Sequence, residues 1–406
     1  MSEPSWLRRL SPSRMVWIVG LGSTLGLVSQ TAGFWIVGAF VSSHRLDIQQ
    51  ASLLSTAEMV AIGIVTLALA PVIHRLPHKR VMMAAVLLAL VAQLLSAVLP
   101  GFGALIATRI VSGIAFGVIY SVATALGAAA EDPQRAYAAA GWISLGTGSL
   151  WNPTVGYATE HFGVQGVLGA MSLYCVLLAV PLLFMSFATP RPAQSGGADL
   201  SVAGKTPLRA MPIAGVMLIM ALFALMTNGV YIFIEQVAER VGQTGTLFGA
   251  RLTVSSLVSA GGVALLSWSV QRARSSLHKA ASSPIARAMP LALSMLAIGG
   301  SSWAFMVSPS AWQMYFWLTL WCVVYWAAYS LIMELAAIAD PRGRVASVAG
   351  SMLILLGGAG SALAGYTAKH FGMERFGLVA LLGCAAAAAC GIIVSRLLAA
   401  TPKTVA

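Results

Sequence analysis

The chain has 406 residues, 58% hydrophobic and 9% charged, with a formal net charge of +12 at neutral pH. A soluble surface needs about 25% charge, so these figures exclude two or three soluble domains, a disordered chain and a collagen-like one. Lys and Arg are scattered between apolar blocks, which argues against a nucleic-acid binder.

Met1 to Leu10 carries Arg8 and Arg9 ahead of an apolar run much longer than a signal-peptide core, which predicts a retained first helix. Stretches of about 20 mostly apolar residues, the length that crosses a bilayer as a helix, recur along the whole chain. Spans 1 to 12 are expected at 15–42, 51–73, 81–99, 102–128, 136–158, 165–187, 211–237, 246–269, 289–307, 312–338, 346–367 and 377–398. The fold class is therefore all-α integral membrane. The longest polar break, 188–209, holds Pro190, Pro192, Ser195, Gly196, Gly197, Lys205 and Pro207, and reads as a flexible linker between two six-span halves, 1–187 and 210–406. Cys175, Cys322, Cys384 and Cys390 all lie inside apolar runs, as small buried hydrophobes rather than a disulfide framework.

An even number of crossings puts both termini on one side. Eighteen Lys and Arg fall on that side and four on the other (Arg45, Arg240, Lys369 and Arg375), with Arg109 and Arg251 inside spans. The positive-inside bias predicts a multi-pass protein of the inner or plasma membrane with both termini cytoplasmic. The halves also repeat. Asp132-Pro133-Gln134-Arg135 recurs as Asp340-Pro341-Arg342-Gly343-Arg344, and Gly156-Tyr157-Ala158-Thr159-Glu160-His161-Phe162-Gly163 as Gly365-Tyr366-Thr367-Ala368-Lys369-His370-Phe371-Gly372, at shifts of 208 and 209. Both blocks flank the fifth span of each half in the same direction, so the repeat is parallel.

A charge at the centre of a membrane helix costs roughly 3 kcal/mol on insertion scales and asks for a paired or solvated role. Glu58 in span 2, Arg109 in span 4 and Arg251 in span 8 all lie about seven residues inside spans that run inward from the face opposite the termini. At 1.5 Å per residue they share a depth of roughly 10 Å. Shared depth allows a network in which Glu58 is a protonatable acid competing with substrate for two arginines. It equally allows a static ion pair. Arg109 can clamp a substrate carboxylate or hold the acid charged, and Arg251 can take part in substrate binding or reach outward to the interface. Glu334, near the terminal-side end of span 10, is a second proton site or a boundary residue. Glu235, near the opposite end of span 7, reads as an interfacial charge or outer-gate residue.

Gln30 and Thr31 in span 1, Asn152 in span 5 and Asn228 in span 7 are neutral polar candidates for substrate contacts, or for hydrogen bonds to a neighbouring helix. Gln93 in span 3 takes the second reading. Span 10 repeats Trp317, Trp321, Tyr325 and Tyr329 every four residues, either an aromatic wall for a flat or amphipathic solute or a packing face. Met211, Met217, Met220 and Met226 in span 7 are apolar filler, with no Cys or His in register to ligate a metal. No nucleotide-binding, hydrolase or metal motif occupies a loop, so neither enzyme nor cofactor is expected.

With these features the chain resembles the major facilitator superfamily of secondary transporters over essentially its whole length. Where that family carries G-x-x-x-D-R-x-G-R-R between spans 2 and 3, this chain reads Ala70-Pro71-Val72-Ile73-His74-Arg75-Leu76-Pro77-His78-Lys79-Arg80, retaining the basic end, with Arg75, Lys79 and Arg80 as the gating-loop candidates. Arg109 and Gly113 fit the family's R-x-x-x-G in span 4. Gly148, Pro153 and Gly156 follow part of the antiporter pattern in span 5, with Ala139, Asn152 and Tyr157 at its other glycines. The resemblance implies two pseudo-symmetric six-helix bundles, with spans 1, 4, 7 and 10 around a central cavity and 2, 5, 8 and 11 at the contact between halves. It raises Gln30, Arg109 and Asn228 as cavity residues. The expected function is proton-coupled transport of a small organic solute by a monomer in the bilayer. The span 5 pattern points to export. Uptake of an organic anion, or a sensor that kept the fold, are the alternatives.

Overall fold

The computed structural model describes residues 14–43, 45–99, 101–128, 130, 133–185, 187, 210–276, 284–339 and 344–400. The segment with Arg8 and Arg9, the 188–209 linker, Asp132 and the Asp340 to Gly343 run lie outside the described residues. Every regular element described is helical. Span 1 is Arg14–Gly26 followed by Val28–Ser42, span 2 is Ile48–Leu69, and a 3-10 turn Ile73–Arg75 leads to span 3, His78–Val98. Span 4 is Phe102–Ala128, and spans 5 and 6 form one run, Pro133–Phe184. Span 7 is Ala210–Tyr231 and Ile234–Arg240, span 8 Gly245–Ser276, span 9 Pro284–Met306, span 10 Ala311–Ala339, span 11 Arg344–Phe371 and span 12 Met373–Ala400.

Eleven helical stretches are long and apolar enough to cross a membrane. One of them divides in two at Gly163, whose φ of 56° and ψ of −136° interrupt the Pro133–Phe184 run, giving the twelve expected. Only glycine tolerates that backbone. Span 2 starts three residues earlier than apolarity alone indicates, because Asp47 and Gln50 form a capping box. The Gln50 N–H donates to Asp47 Oδ1 at 2.9 Å and the Asp47 N–H to Gln50 Oε1 at 3.2 Å. The end of the bundle holding Asp47 is called the far end, and the opposite end, where span 1 begins and span 12 finishes, the terminal end.

Within the first half, span 4 packs on spans 1, 2 and 3, and within the second half span 12 packs on spans 7 and 9. Gly113 and Gly117 bring span 4 onto the backbone of span 2: a methyl at Gly117 would lie 3.0 Å from the Ile62 carbonyl, and one at Gly113 would overlap the Glu58 carbonyl. The halves meet where span 2 packs on span 11 and span 8 on span 5. Outward, span 3 exposes Leu87, Val91, Leu94 and Val98 as one helical stripe. Water penalises an apolar strip of that size and lipid does not.

Candidate functional site

Glu58 and Arg109 meet. Arg109 Nη1 lies 3.3 Å from Glu58 Oε2, and both side chains are 2% exposed. Ser112, one turn along span 4, donates to Glu58 Oε1. The other end of the guanidinium donates to Gln93 Oε1 at 2.6 Å and to Ser96 Oγ at 2.7 Å, and the Ser96 hydroxyl donates in turn to Thr108 Oγ1 at 2.8 Å. Gln93, read from sequence as a simple interhelical bond, thus completes the arginine's shell. All of these groups come from spans 2, 3 and 4. The face of span 2 that meets span 11 carries Ser52, Thr56, Met59 and Gly63, and Glu58 points roughly opposite Thr56 at 100° per residue. The pair therefore sits inside the first half rather than between the halves.

Arg251 does not join it. Its side chain is exposed and donates to Gln243 Oε1 in the turn before span 8. Shared depth fixed height along the membrane normal, while the azimuth of span 8 turns Arg251 elsewhere. Glu334 is exposed on span 10. Of the gating-loop candidates, Arg75 and Arg80 are exposed, whereas Lys79 Nζ donates to the carbonyls of Leu183 at 2.8 Å and Met185 at 3.1 Å. Lys79 thus caps the C-terminal end of span 6, where a cation meets both orphan carbonyls and the helix dipole.

The seam between halves is built by the sequence repeat. Pro153 has no N–H for the Ser149 carbonyl one turn back, and Thr253 of span 8 supplies a hydroxyl at 2.8 Å instead. Residue 358, which is 149 shifted by 209, receives the matching bond: Thr56 Oγ1 of span 2 donates to the Gly358 carbonyl at 2.9 Å. The same shift relates Gly156 to Gly365. An added Cβ at Gly156 would overlap the Gly245 carbonyl of span 8, and at Gly365 it would lie 2.5 Å from Ser52 Cβ of span 2. It also relates Glu160 to Lys369. Glu160 accepts from the Thr246 N–H and hydroxyl, both at 2.9 Å, capping span 8, while Lys369 pairs with Asp47 Oδ2 at 3.0 Å, at the cap of span 2. Gly163 and Gly372, with φ of 56° and 90°, turn the chain after each copy. Two related clasps thus join the halves at the far end.

Among the described residues, the contacts that close the halves on one another gather at the far end. At the far end Ser42 of span 1 donates to Glu239 of span 7 at 3.2 Å, and Trp35 packs on Phe248 with ring centres 5.0 Å apart. Deeper, the Tyr231 hydroxyl donates to the Thr31 carbonyl at 3.0 Å. Towards the terminal end, among the described residues, nothing lies within 4 Å of a Cβ added at Gly141, Gly146 or Gly148 of span 5, or at Gly350 of span 11 (Gly141 shifted by 209).

The aromatic residues gather at the junction of spans 1, 7 and 10. Phe34 meets Tyr231 edge-on at 5.3 Å, Tyr231 and Trp321 lie near-parallel at 6.4 Å, Trp321 and Tyr325 are 5.4 Å apart, and Phe223 and Tyr325 4.9 Å. Trp321 is anchored by its Nε1–H bond to Ser302 Oγ at 3.1 Å. Trp317 stands apart, lining a groove of about 330 Å³ with Trp303, Trp312 and Phe316. Asn228 is buried beside Gly357 of span 11 and donates to its own Ala224 carbonyl at 3.2 Å. Gln30 and Asn152 are half-buried, and the Asn152 carbonyl lies against Gly249 of span 8.

Two related sets of helices, joined along spans 2–11 and 5–8 and clasped at one end, define a polytopic membrane protein on a transporter fold. The chain belongs to the Major Facilitator Superfamily, whose family model matches residues 16–364. Its fold is similar to a bacterial homolog of the human lysosomal transporter Spinster in an inward-facing, unoccupied conformation, at 14% identity and a TM-score of 0.71 over 95% of this chain and 98% of that one. A D-xylose–proton symporter matches at 13% identity and a TM-score of 0.68, covering 95% and 96%. A structure of a proton-dependent oligopeptide transporter matches at 12% and 0.62, again over 95% and 96%. No curated protein sequence matches the chain.

Proposed function

We propose that this protein is a secondary transporter that moves a small organic solute by alternating access, with residues 1–187 rocking against 210–406 about the seam of spans 2, 5, 8 and 11. One observation carries the reading: among the described residues, the contacts that join the halves beyond their seam gather at the far end, where Glu160 caps span 8, Lys369 pairs with Asp47 and Ser42 bonds Glu239. With both termini in the cytoplasm, as the basic-residue bias argues, this conformation is inward-open. The similarity to the inward-facing Spinster homolog supports that assignment.

The cargo is a solute with an apolar or aromatic body, facing the half-buried Tyr231 and Tyr325, which Phe34 and Trp321 back from the core. Coupling is to protons, as the names of two of the similar transporters, a xylose–proton symporter and a proton-dependent peptide transporter, suggest by analogy. The direction is export, on the partial pattern of Gly148, Pro153 and Gly156. An anion clamp is disfavoured, because Arg109 is already engaged by Glu58, Gln93 and Ser96, and Arg251 by Gln243. Glu58 and Arg109 act as a brace that makes spans 2, 3 and 4 move as one body, and Glu334 remains at the surface of span 10. The test is a stability screen of metabolites and drugs at two pH values on purified protein, followed by flux of any hit in proteoliposomes under an imposed pH gradient. A hit that stabilises the protein, competes at the aromatic cluster and moves with the gradient supports the reading. Stabilising ligands that are never transported contradict it.

A further inference from the structure

Span 7 breaks at Ile232 and Phe233 and resumes as the short helix Ile234–Arg240. Glu235, in its first turn, is 9% exposed, and its Oε2 has no hydrogen-bond partner among the described residues. The carboxyl lies directly on Gly38 of span 1, where any Cβ would overlap it. Among the described residues, its charged surroundings hold no cation. Glu239, one turn on, is the charged neighbour and is itself bonded to Ser42 Oγ at 3.2 Å. Arg240 turns the other way, to Glu374 at 3.2 Å and the Met306 carbonyl. Span 1 presents Gly38 and Ser42 here, and span 10, which also touches the segment, adds no charged group.

A carboxylate whose Oε2 is buried without a donor or cation among the described residues, and with a second carboxylate one turn away, is poorly compensated for its lost hydration. A neutral carboxyl does not carry that penalty. Separation of spans 1 and 7 would place the same group at the mouth of the far end, in water. We propose that Glu235 is the proton site that governs the far-end gate: it holds a proton while span 7 lies on Gly38, and releases it to far-side water as the halves part. The proposal rests on the alternating-access reading and names its coupling residue. The sign follows: acid on the far side favours the closed gate, and closure weakens as pH rises. One proton changes the open-to-closed ratio by at most about tenfold per pH unit.

The test places spin labels at Arg45 and Phe371, on opposite halves at the far end, with the four native cysteines replaced, and records their distance distribution from about pH 5 to 9. The parent protein should show a long-distance population growing with pH. Glu235→Gln should stay closed and lose the dependence, Glu239→Gln should keep it, and Gly38→Ala should open the gate at lower pH. Gly38→Ala tests the contact independently should Glu235→Gln not fold. An unchanged pH dependence in Glu235→Gln, or a closed gate in Gly38→Ala, overturns the assignment and leaves alternating access standing. A gate that never opens in the parent protein at any pH or with any bound solute overturns both.

Discussion

Replacing Arg109 by Gln should be among the most damaging single changes in the first half. The substitution removes the 3.3 Å contact to Glu58 and the bonds to Gln93 and Ser96, leaving a carboxylate 2% exposed with only the Ser112 hydroxyl as a donor. Breaking a buried pair from one side costs about 3–5 kcal/mol, because the surviving charge stays buried. Glu58→Gln is milder, about 1–3 kcal/mol, since the guanidinium keeps Gln93 and Ser96 and an amide oxygen can still accept. The double variant should be less destabilised than the sum of the singles by about 0.5–3 kcal/mol. Unfolding of all four proteins in mild detergent measures this. An Arg109→Gln protein within about 0.5 kcal/mol of the parent, or strict additivity, would refute the brace. A brace also predicts that Glu58→Gln, where folded, keeps gradient-driven flux.

Gly163→Ala forces a methyl-bearing residue into φ 56°, ψ −136° and should destabilise by about 1–3 kcal/mol. Gly169→Ala, on open helix surface, should stabilise by up to about 1 kcal/mol, and parallel melts compare the two. Thr253→Val strands the Ser149 carbonyl that Pro153 already deprives of a donor, so the closed far end should lose about 1 kcal/mol, roughly fivefold in its population by label distance; an unchanged distribution would count against the seam. The Asp47–Lys369 pair is 42% exposed on both sides and contributes about 0.2–1 kcal/mol to closure. Lys369→Glu should lower the closed population and Asp47→Lys in the same chain should restore it. The Gln50 N–H that Asp47 caps, and then Lys369, hold its carboxyl below the usual aspartate range. A depressed acid contributes above its unpaired value and loses that contribution as pH falls through the bound one. This latch is therefore constant between about pH 6 and 8 and weakens only in strong acid, so any gate response near neutrality must come from elsewhere, which label distances in Asp47→Asn check.

Span count and repeat were legible because membrane length and a long shared motif are properties of the linear chain. Glu58 and Arg109 were legible as candidates for a meeting because a charge inside a membrane span asks for a partner and the two share one depth. Arg251 and Gln93 were not: depth says nothing of the azimuth about the membrane normal, which helix packing decides. Gly163 was visible as a repeated glycine, but its backbone, which splits an otherwise continuous helical run, was not. The capping signature at Asp47 and Gln50 was readable from spacing alone and would have placed the start of span 2 correctly. Pro153 announces a carbonyl without its donor. That Thr253 fills it from the other half depends on a crossing that only the fold supplies.

The central claim, that two bundles rock about their shared seam, is tested most directly by two distances in one protein. Labels at Arg45 and Phe371 span the far end, and labels at Arg80 and Arg396 sit on the terminal-side ends of spans 3 and 12. In proteoliposomes with a transported solute, the account predicts a second population in which the first distance lengthens as the second shortens. Distances that stay fixed, or that lengthen and shorten together, would contradict it.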